Sequence, residues 1–582
     1  MKKKHLLAAG GIFTAAAAAA CLLLFTPCVS IDSTERLHEL TDRFFRQEVC
    51  ASTRNLHYTL ADPKSRGIDD YPVRLGSLSP ESVEEDRLLT ENFRAALLDI
   101  DRSCLSAKDQ FTYDVLDYTL ETALEGYTWY YYQEPLSPSL GIQAQLPILL
   151  AEYAFYSEQD VTDYLTLLSQ TGDYFRSILA FEQEKAARSL FMSDETADAI
   201  ISQCIYFIND SGHSYLEELF REKLDSLPGL SAKTRKACEQ AHQELLKTCM
   251  IPAYQELVNG LTALKGSRSK SQGLCSLPNG EAYYSYLVRA STGSDRTVEA
   301  ISQLLNETRT GYALAIQEMI SEQPSLLASM DISIDARDPE TILNSLKNQI
   351  QNDFPDLPDT SVAVKQVHSS LEEYSSPAFY LTPPIDRVRD NVIYINASDG
   401  YQGIDLFTTL AHEGYPGHLY QTVYSYSSCS NPLQSILNIG GYTEGWATYA
   451  ELYSYSLCGL EPSVAELLSI NKAWTLNLYS TMDLGIHYYG WNIMDVYEFL
   501  CGYGIENLDT AREIYQAIVE DPANYLKYYV GYLEFDALRQ RAEKALGTSF
   551  DLKEFHQVLL TLGPAPFSLL EKELDRFIAQ KD

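Results

Sequence analysis

The chain has 582 residues and a mass of 65.5 kDa, with 45% hydrophobic and 21% charged residues. These are ordinary proportions for a packed globular protein, and they exclude wholesale disorder, a collagen-like repeat and a polytopic membrane protein. Lys plus Arg number 44 against 80 Asp plus Glu, a net charge of −36. So negative a surface repels phosphate backbones and anionic lipid, so no nucleic-acid partner is expected.

Lys2, Lys3 and Lys4 precede an uncharged run from Leu6 to Ser30. Residues 1–30 read as a secretory signal peptide, as an uncleaved N-terminal membrane anchor, or as a lipoprotein leader with Cys21 after three alanines. All three place the body outside: secreted, or held at the outer face of the cytoplasmic membrane through this segment only. Of the 11 cysteines, nine lie beyond the leader, scattered and without a CxxC pair. An odd number cannot pair completely, and a thiolate zinc cluster is not expected. Most are read as buried thiols used as small apolar residues.

From Thr34 to about Ala263 apolar residues recur at three- and four-residue spacing, notably over 87–100, 109–125, 159–182 and 233–263, which predicts helices. Ser79-Pro80 and the Asp160 to Asp163 segment look like helix starts. The well-separated His38, His57, His213 and His242 read as ordinary surface or core residues. Residues 264–281 are polar and rich in Gly, Ser and Lys. They divide an N-terminal helical region, 31–265, from a C-terminal one, 278–582, or form a surface loop within one continuous domain. A second, proline-rich stretch over 353–390 reads as irregular. Asp390 to Asn396 is β-branched and aromatic and predicts a short strand; residues 392–396 as an edge strand would pair with an extended peptide. Helical periodicity then returns to the C-terminus.

The chemistry concentrates in His412-Glu413-Gly414-Tyr415-Pro416-Gly417-His418. A His-Glu pair on a helix with a second histidine nearby is the skeleton of a zinc hydrolase site, the imidazoles binding the metal and the glutamate serving as general base. In HExxH the histidines stand at i and i+4, about 40° apart around a helix; here they stand at i and i+6, about 120° apart. Pro416 cannot continue a regular helix, and Gly414 and Gly417 relax the chain beside it. A bulge or widened turn would bring His418 under His412. A third ligand is sought on another helix. Glu444, in Gly440-Gly441-Tyr442-Thr443-Glu444-Gly445-Trp446-Ala447-Thr448-Tyr449-Ala450-Glu451, stands 26 residues beyond His418 near an expected helix start. Glu451, two turns on and on the same face, would orient a histidine ligand from behind.

HEGYPGH and EGWATYAE together resemble the signature of domain-of-unknown-function family 885, written HEG-x-PGH and EGWA-x-YAE. Further matches are Asp483-Leu-Gly485-Ile-His487-Tyr-Tyr-Gly490-Trp491, Tyr528-Tyr-Val-Gly531, Phe555-His556, Leu562 to Pro566, Asn279-Gly280-Glu-Ala-Tyr283-Tyr284 and Pro383-Pro384. The resemblance runs from about residue 35 to 575. Such families look similar to gluzincin-like metallopeptidases. The resemblance implies a mainly α, multi-helical body enclosing a deep cleft, with a few short strands near the metal site. It implies one zinc ion per chain on His412, His418 and Glu444, with Glu413 as base, and supporting positions at Glu451 and Asp483.

The expected reaction is zinc-assisted hydrolysis of a peptide or small amide. His487, Tyr528 and Tyr529 are candidate donors to the oxyanion, while His556 reads as structural. A zinc amidase or esterase acting on a non-peptide substrate keeps the same residues. A non-catalytic exported binding lipoprotein is the contrasting expectation, against which all four site residues are present.

Overall fold

The structure, a computed structural model, describes residues 31–266, 272–329, 332, 334–367, 377–396, 402–428 and 431–581. The leader, and with it the choice between signal, anchor and lipidation, lies outside the described residues. Helices hold 73% of the residues and strands 3%, so the fold is mainly α. No helix among the described residues is long and apolar enough to cross a membrane.

The predicted helices form where apolar spacing and caps coincide. Ser79 accepts a hydrogen bond from the Ser82 N–H, starting a helix at Pro80, with proline at the position where its missing N–H removes nothing. The next expected start lies earlier than the sequence suggests. Ser157, not Asp160, is the N-cap, and Asp160 closes a capping box from the third helical position. The 233–263 stretch runs as two helices, Ala232–Leu245 and Ile251–Leu264, through one widened turn at Leu246–Met250, just ahead of Pro252.

The elements that build the candidate site and its surroundings are helices α1 (Ile31–Cys50), α2 (Thr53–Thr59) and α3 (Gly280–Thr292), and strands β1 (Ser361–Gln366), β2 (Ala378–Leu381) and β3 (Asp390–Ile395). Helices α4 (Ile404–Glu413), α5 (His418–Ser428), α6 (Gly440–Ser454), α7 (Pro462–His487) and α8 (Asn524–Leu546) follow. The proline-rich 353–390 stretch is thus not wholly irregular; it contains β1 and β2. The three strands form one sheet in the order β1-β3-β2, with β1 parallel and β2 antiparallel to β3. This corrects the expected edge strand: 392–395 is central, flanked on both sides, and among the described residues the edge nearest the site belongs to β2.

The hydrophobic cores cross the 264–281 segment. Phe111 and Val115 pack in one cluster with Leu410, Ala411, Trp446 and Phe535. Leu190 packs with Leu274, Tyr284 and Tyr529, and Tyr394 of β3 with residues of the N-terminal half such as Leu150 and Tyr164. The segment packs against α7 at Gly273, where a Cβ would lie 1.9 Å from the Ile486 carbonyl oxygen.

Eight cysteines are described, none in a disulfide; Cys204 is buried and the other seven are half-buried, so the expected small-apolar role holds fully for Cys204 alone. His57 and His242 are core residues, and His242 meets the Tyr164 hydroxyl at 3.2 Å.

Candidate metal centre

Helix α4 buries Leu406, Phe407, Leu410 and Ala411, and this apolar face delivers His412 and Glu413 at its last turn. The helix stops there. Gly414 has non-helical backbone angles, the Tyr415–Pro416 bond is cis, and α5 begins at His418. Two hydrogen bonds bridge the break: Gly417 N–H donates to the Ala411 carbonyl (2.9 Å) and Tyr420 N–H to that of Gly414 (3.1 Å). Each spans six residues instead of four, the widened turn that the i, i+6 histidine spacing requires. Only glycine fits at 417, where a Cβ would stand 1.8 Å from the His412 carbonyl oxygen. The fully buried Trp446 donates its indole N–H to the Pro416 carbonyl (2.9 Å), pinning the turn from α6.

The His412 and His418 rings lie 4.8 Å apart at 86°. Glu444 Oε2 stands 3.2 Å from His418 Nε2 and 3.7 Å from His412 Nε2. A second carboxylate, Glu413, is also close: ligand atoms of His412, Glu413 and His418 lie within 4.8 Å of one another. Their hydrogen bonds separate the two acids. Glu413 Oε2 accepts from the Tyr380 N–H on β2 (2.9 Å), whereas Glu444 Oε2 is buried with no hydrogen-bond partner. An orphaned, buried carboxylate oxygen facing two imidazole nitrogens is the donor set a zinc ion takes, two N and one O with a position left over.

Electrostatics point the same way. His412 Nδ1 meets Glu451 Oε2 at 3.2 Å, which leaves Nε2 toward Glu444, and Lys472 Nζ pairs with the other Glu451 oxygen at 2.7 Å. Burial opposes charge on His412, but the facing carboxylates of Glu444 and Glu451 and the Glu413 charge outweigh it and push its pKa up to about 10. Burial likewise opposes ionisation of Glu451, but Lys472 and His412 together hold it down at about 2; Glu444 is held well below the carboxylate range by both histidines, again against burial. The carboxylates thus call for a positive charge at this spot, which a protonated imidazole or a bound cation supplies.

Tyr528 reaches the site from α8, its ring 6.1 Å from that of His412. Burial, then the charges of Glu444 and Glu413, raise its pKa above the usual tyrosine range, so the hydroxyl keeps its proton. Glycines set this helix in place. A Cβ on Gly445 would lie 2.4 Å from the Gly531 backbone, and one on Gly531 would lie 2.2 Å from the Gly441 carbonyl oxygen. α6 and α8 therefore touch backbone to backbone, with Glu444 and Tyr528 beside the contact.

The model of a family described as "bacterial protein of unknown function (DUF885)" matches residues 63–574. The chain belongs to the DUF885 family. Two solved structures share its fold. One, from Colwellia psychrerythraea and provisionally titled a lipoprotein, is 21% identical, with a TM-score of 0.80, over 94% of this chain and all of that one. The other, from Shewanella oneidensis and titled a lipoprotein of unknown function on the same provisional footing, is 16% identical, with a TM-score of 0.63, over 91% and 98%. Among curated proteins, none matches.

In this DUF885 protein the other sequence candidates lie elsewhere. Both ring nitrogens of His487 meet backbone groups: its Nδ1 accepts from the Leu274 N–H (3.1 Å) and its Nε2 donates to the Ile518 carbonyl (2.9 Å). Tyr529 is fully buried, donating to the Tyr312 hydroxyl and accepting from Asn477. Asp483 is fully buried on α7. It accepts from the Tyr284 hydroxyl and the Ala523 N–H, tying α3 and the start of α8 to α7. The Asp483–Trp491 and Asn279–Tyr284 segments thus form a structural knot, where a Cβ on Gly485 would meet the Trp491 ring at 2.4 Å. His556 is structural, bonded to Tyr449 and to the Asp353 carbonyl, and burial lowers its pKa to about 3.

Three contributors had no assigned role in the sequence reading. Trp446 sits inside EGWATYAE, so its motif marked it. Lys472 and Tyr380 carry no such signal, because one is a surface-type residue on a helix and the other acts through its backbone.

Proposed function

We propose that this DUF885 protein is an exported zinc-dependent hydrolase that cleaves amide bonds in peptides. The observation that carries the reading is the convergence of His412 Nε2, His418 Nε2 and the unpartnered Glu444 Oε2, with Glu413 alongside. Zinc bound by His412, His418 and Glu444 would supply Lewis-acid polarisation of the scissile carbonyl and ease deprotonation of water. Glu413 takes a proton from the attacking water as its oxygen bonds to the carbonyl carbon, then passes that proton to the leaving nitrogen as the C–N bond breaks. The Tyr528 hydroxyl donates to the carbonyl oxygen as negative charge develops there. Glu451, braced by Lys472, holds the His412 ring and its tautomer.

A peptide is favoured over a smaller amide because β2 lies beside Glu413 as a strand edge. Its Tyr380 N–H is taken by the reacting carboxylate, and an extended substrate would pair with the main-chain groups of this edge that remain, such as the Tyr380 carbonyl. Export agrees with the leader and with the lipoprotein titles of the two solved neighbours.

Zinc analysis of the purified full chain, beside the His412→Ala/His418→Ala double variant, tests the site; about one zinc per chain, lost in the variant, is expected. In Glu413→Gln, zinc is expected to stay while cleavage of a peptide library falls roughly 10²–10⁴-fold. Failure of the wild-type chain to take up zinc would refute the mechanism.

A further inference from the structure

A cavity of about 430 Å³ lies where β2 ends, walled by Arg54 and Tyr58 of α2, Glu48 of α1, Thr382 and Pro383 just past β2, and Tyr426 of α5. Its size suits one or two substrate side chains. The two elements that meet at the candidate centre both lead to it. Thr382 is two residues beyond Tyr380, about 7 Å along an extended chain. Tyr426 is eight residues beyond His418, about 12 Å along a helix. A peptide paired to β2 beside Glu413 thus reaches the cavity within two or three residues of the bond at the centre.

The wall is braced without using Arg54. The Ile385 N–H donates to the Thr59 carbonyl (2.9 Å), and the Asp386 carboxylate accepts from the Ala61 and Asp62 N–H groups (2.9 and 2.8 Å). Arg54 makes no ion pair or hydrogen bond among the described residues. In a chain of net charge −36, a guanidinium on a cavity wall with no ion pair among the described residues is a ready carboxylate receptor. Glu48 lines the same cavity, and burial, then the Asp86 charge, raises its pKa.

We propose that this cavity is a substrate subsite in which Arg54 binds a carboxylate of the peptide, either an acidic side chain near the scissile bond or a free C-terminus. The inference rests on the peptide-hydrolase reading for its register along β2, but its test reads binding separately from cleavage. Fluorescent hexapeptides of one neutral sequence would be prepared in three forms: C-terminally amidated, with a free C-terminus, and amidated with one Gln changed to Glu. Anisotropy titrations would use the zinc-loaded full chain, Arg54→Gln and Arg54→Lys, with zinc content and melting temperature reporting folding.

The wild type is expected to prefer one carboxylate form over the neutral peptide by at least about tenfold. Which form wins identifies the source. That ratio is expected to fall below twofold in Arg54→Gln and to recover partly in Arg54→Lys. Equal binding of all three forms, or a preference that survives Arg54→Gln in a folded variant, would overturn the subsite. So would failure of every peptide to bind, which would remove the peptide reading with it. An Arg54-dependent preference without cleavage would keep the subsite and sink the hydrolase.

Discussion

His412 sits between two acids that do different things. Glu444 faces its Nε2 and has an oxygen with no hydrogen-bond partner, while Glu451 holds its Nδ1 and is itself held by Lys472. Removing the charge behind a ligand loosens its orientation without deleting a donor atom. Glu451→Gln and Lys472→Met are therefore expected to weaken zinc binding about 10–100-fold, measured by competition with a chelator, while a saturating zinc supply restores most peptide cleavage. An unchanged affinity in both would show that the relay does not support the site. At this scale much was legible. His412, Glu413, His418, Glu444 and Glu451 could be read because each lies within a short motif whose spacing translates into a direction. Lys472 could not, because its partner is 21 residues away on another helix.

Two helices decide whether the residues meet. α6 and α8 approach so closely at Gly441, Gly445 and Gly531 that no side chain fits. Gly445→Ala is expected to destabilise the protein by roughly 1–3 kcal/mol through overpacking and to push Tyr528 from the site. Thermal melts and peptide turnover would read the two effects, and a stable, fully active variant would contradict the packing argument. The start of α8 depends on Asp483, a buried acid whose pKa burial pushes up to about 7. Folded Asp483 thus holds its proton where the unfolded chain has released it. Its stabilisation is complete below about pH 4 and is lost as pH rises toward 7. Asp483→Asn should flatten that pH dependence between 4 and 7 in chemical denaturation, and identical slopes in the two proteins would exclude Asp483 as its source. The sequence pattern marked the Asp483–Trp491 segment as special but left its purpose open. A histidine beside an acid reads the same whether it faces a substrate or two backbone groups, and only the placement of Leu274 and Ile518 against the ring resolves it.

Across the whole molecule, the 264–281 segment divides the chain without dividing its core. Phe111 and Val115 pack with the α4–α6 cluster, and Leu190 with the α3, α7 and α8 cluster. The 278–582 piece expressed alone would expose these apolar faces and lose about 1.5–3 kcal/mol for each large side chain no longer covered. It is expected to lack a cooperative melt and to bind zinc poorly. A sharp melting transition in that fragment would show that it folds independently.

The helical class, the short strand at 390–395, the export leader as an expectation and the grouping of HEGYPGH with EGWATYAE came from the sequence by itself. Periodicity, β-branching and motif spacing are local properties, set by which side chains can share a face over a few residues. Tertiary structure alone decided that β2 rather than β3 borders the site and that Glu444, not Glu413, carries the orphaned oxygen. It also committed His487, Tyr529 and Asp483 to internal bonds and left Arg54, on a cavity wall, without an ion pair among the described residues. Each of these depends on partners dozens to hundreds of residues away, and a strand's neighbours or a side chain's hydrogen bonds have no signature until the chain is folded.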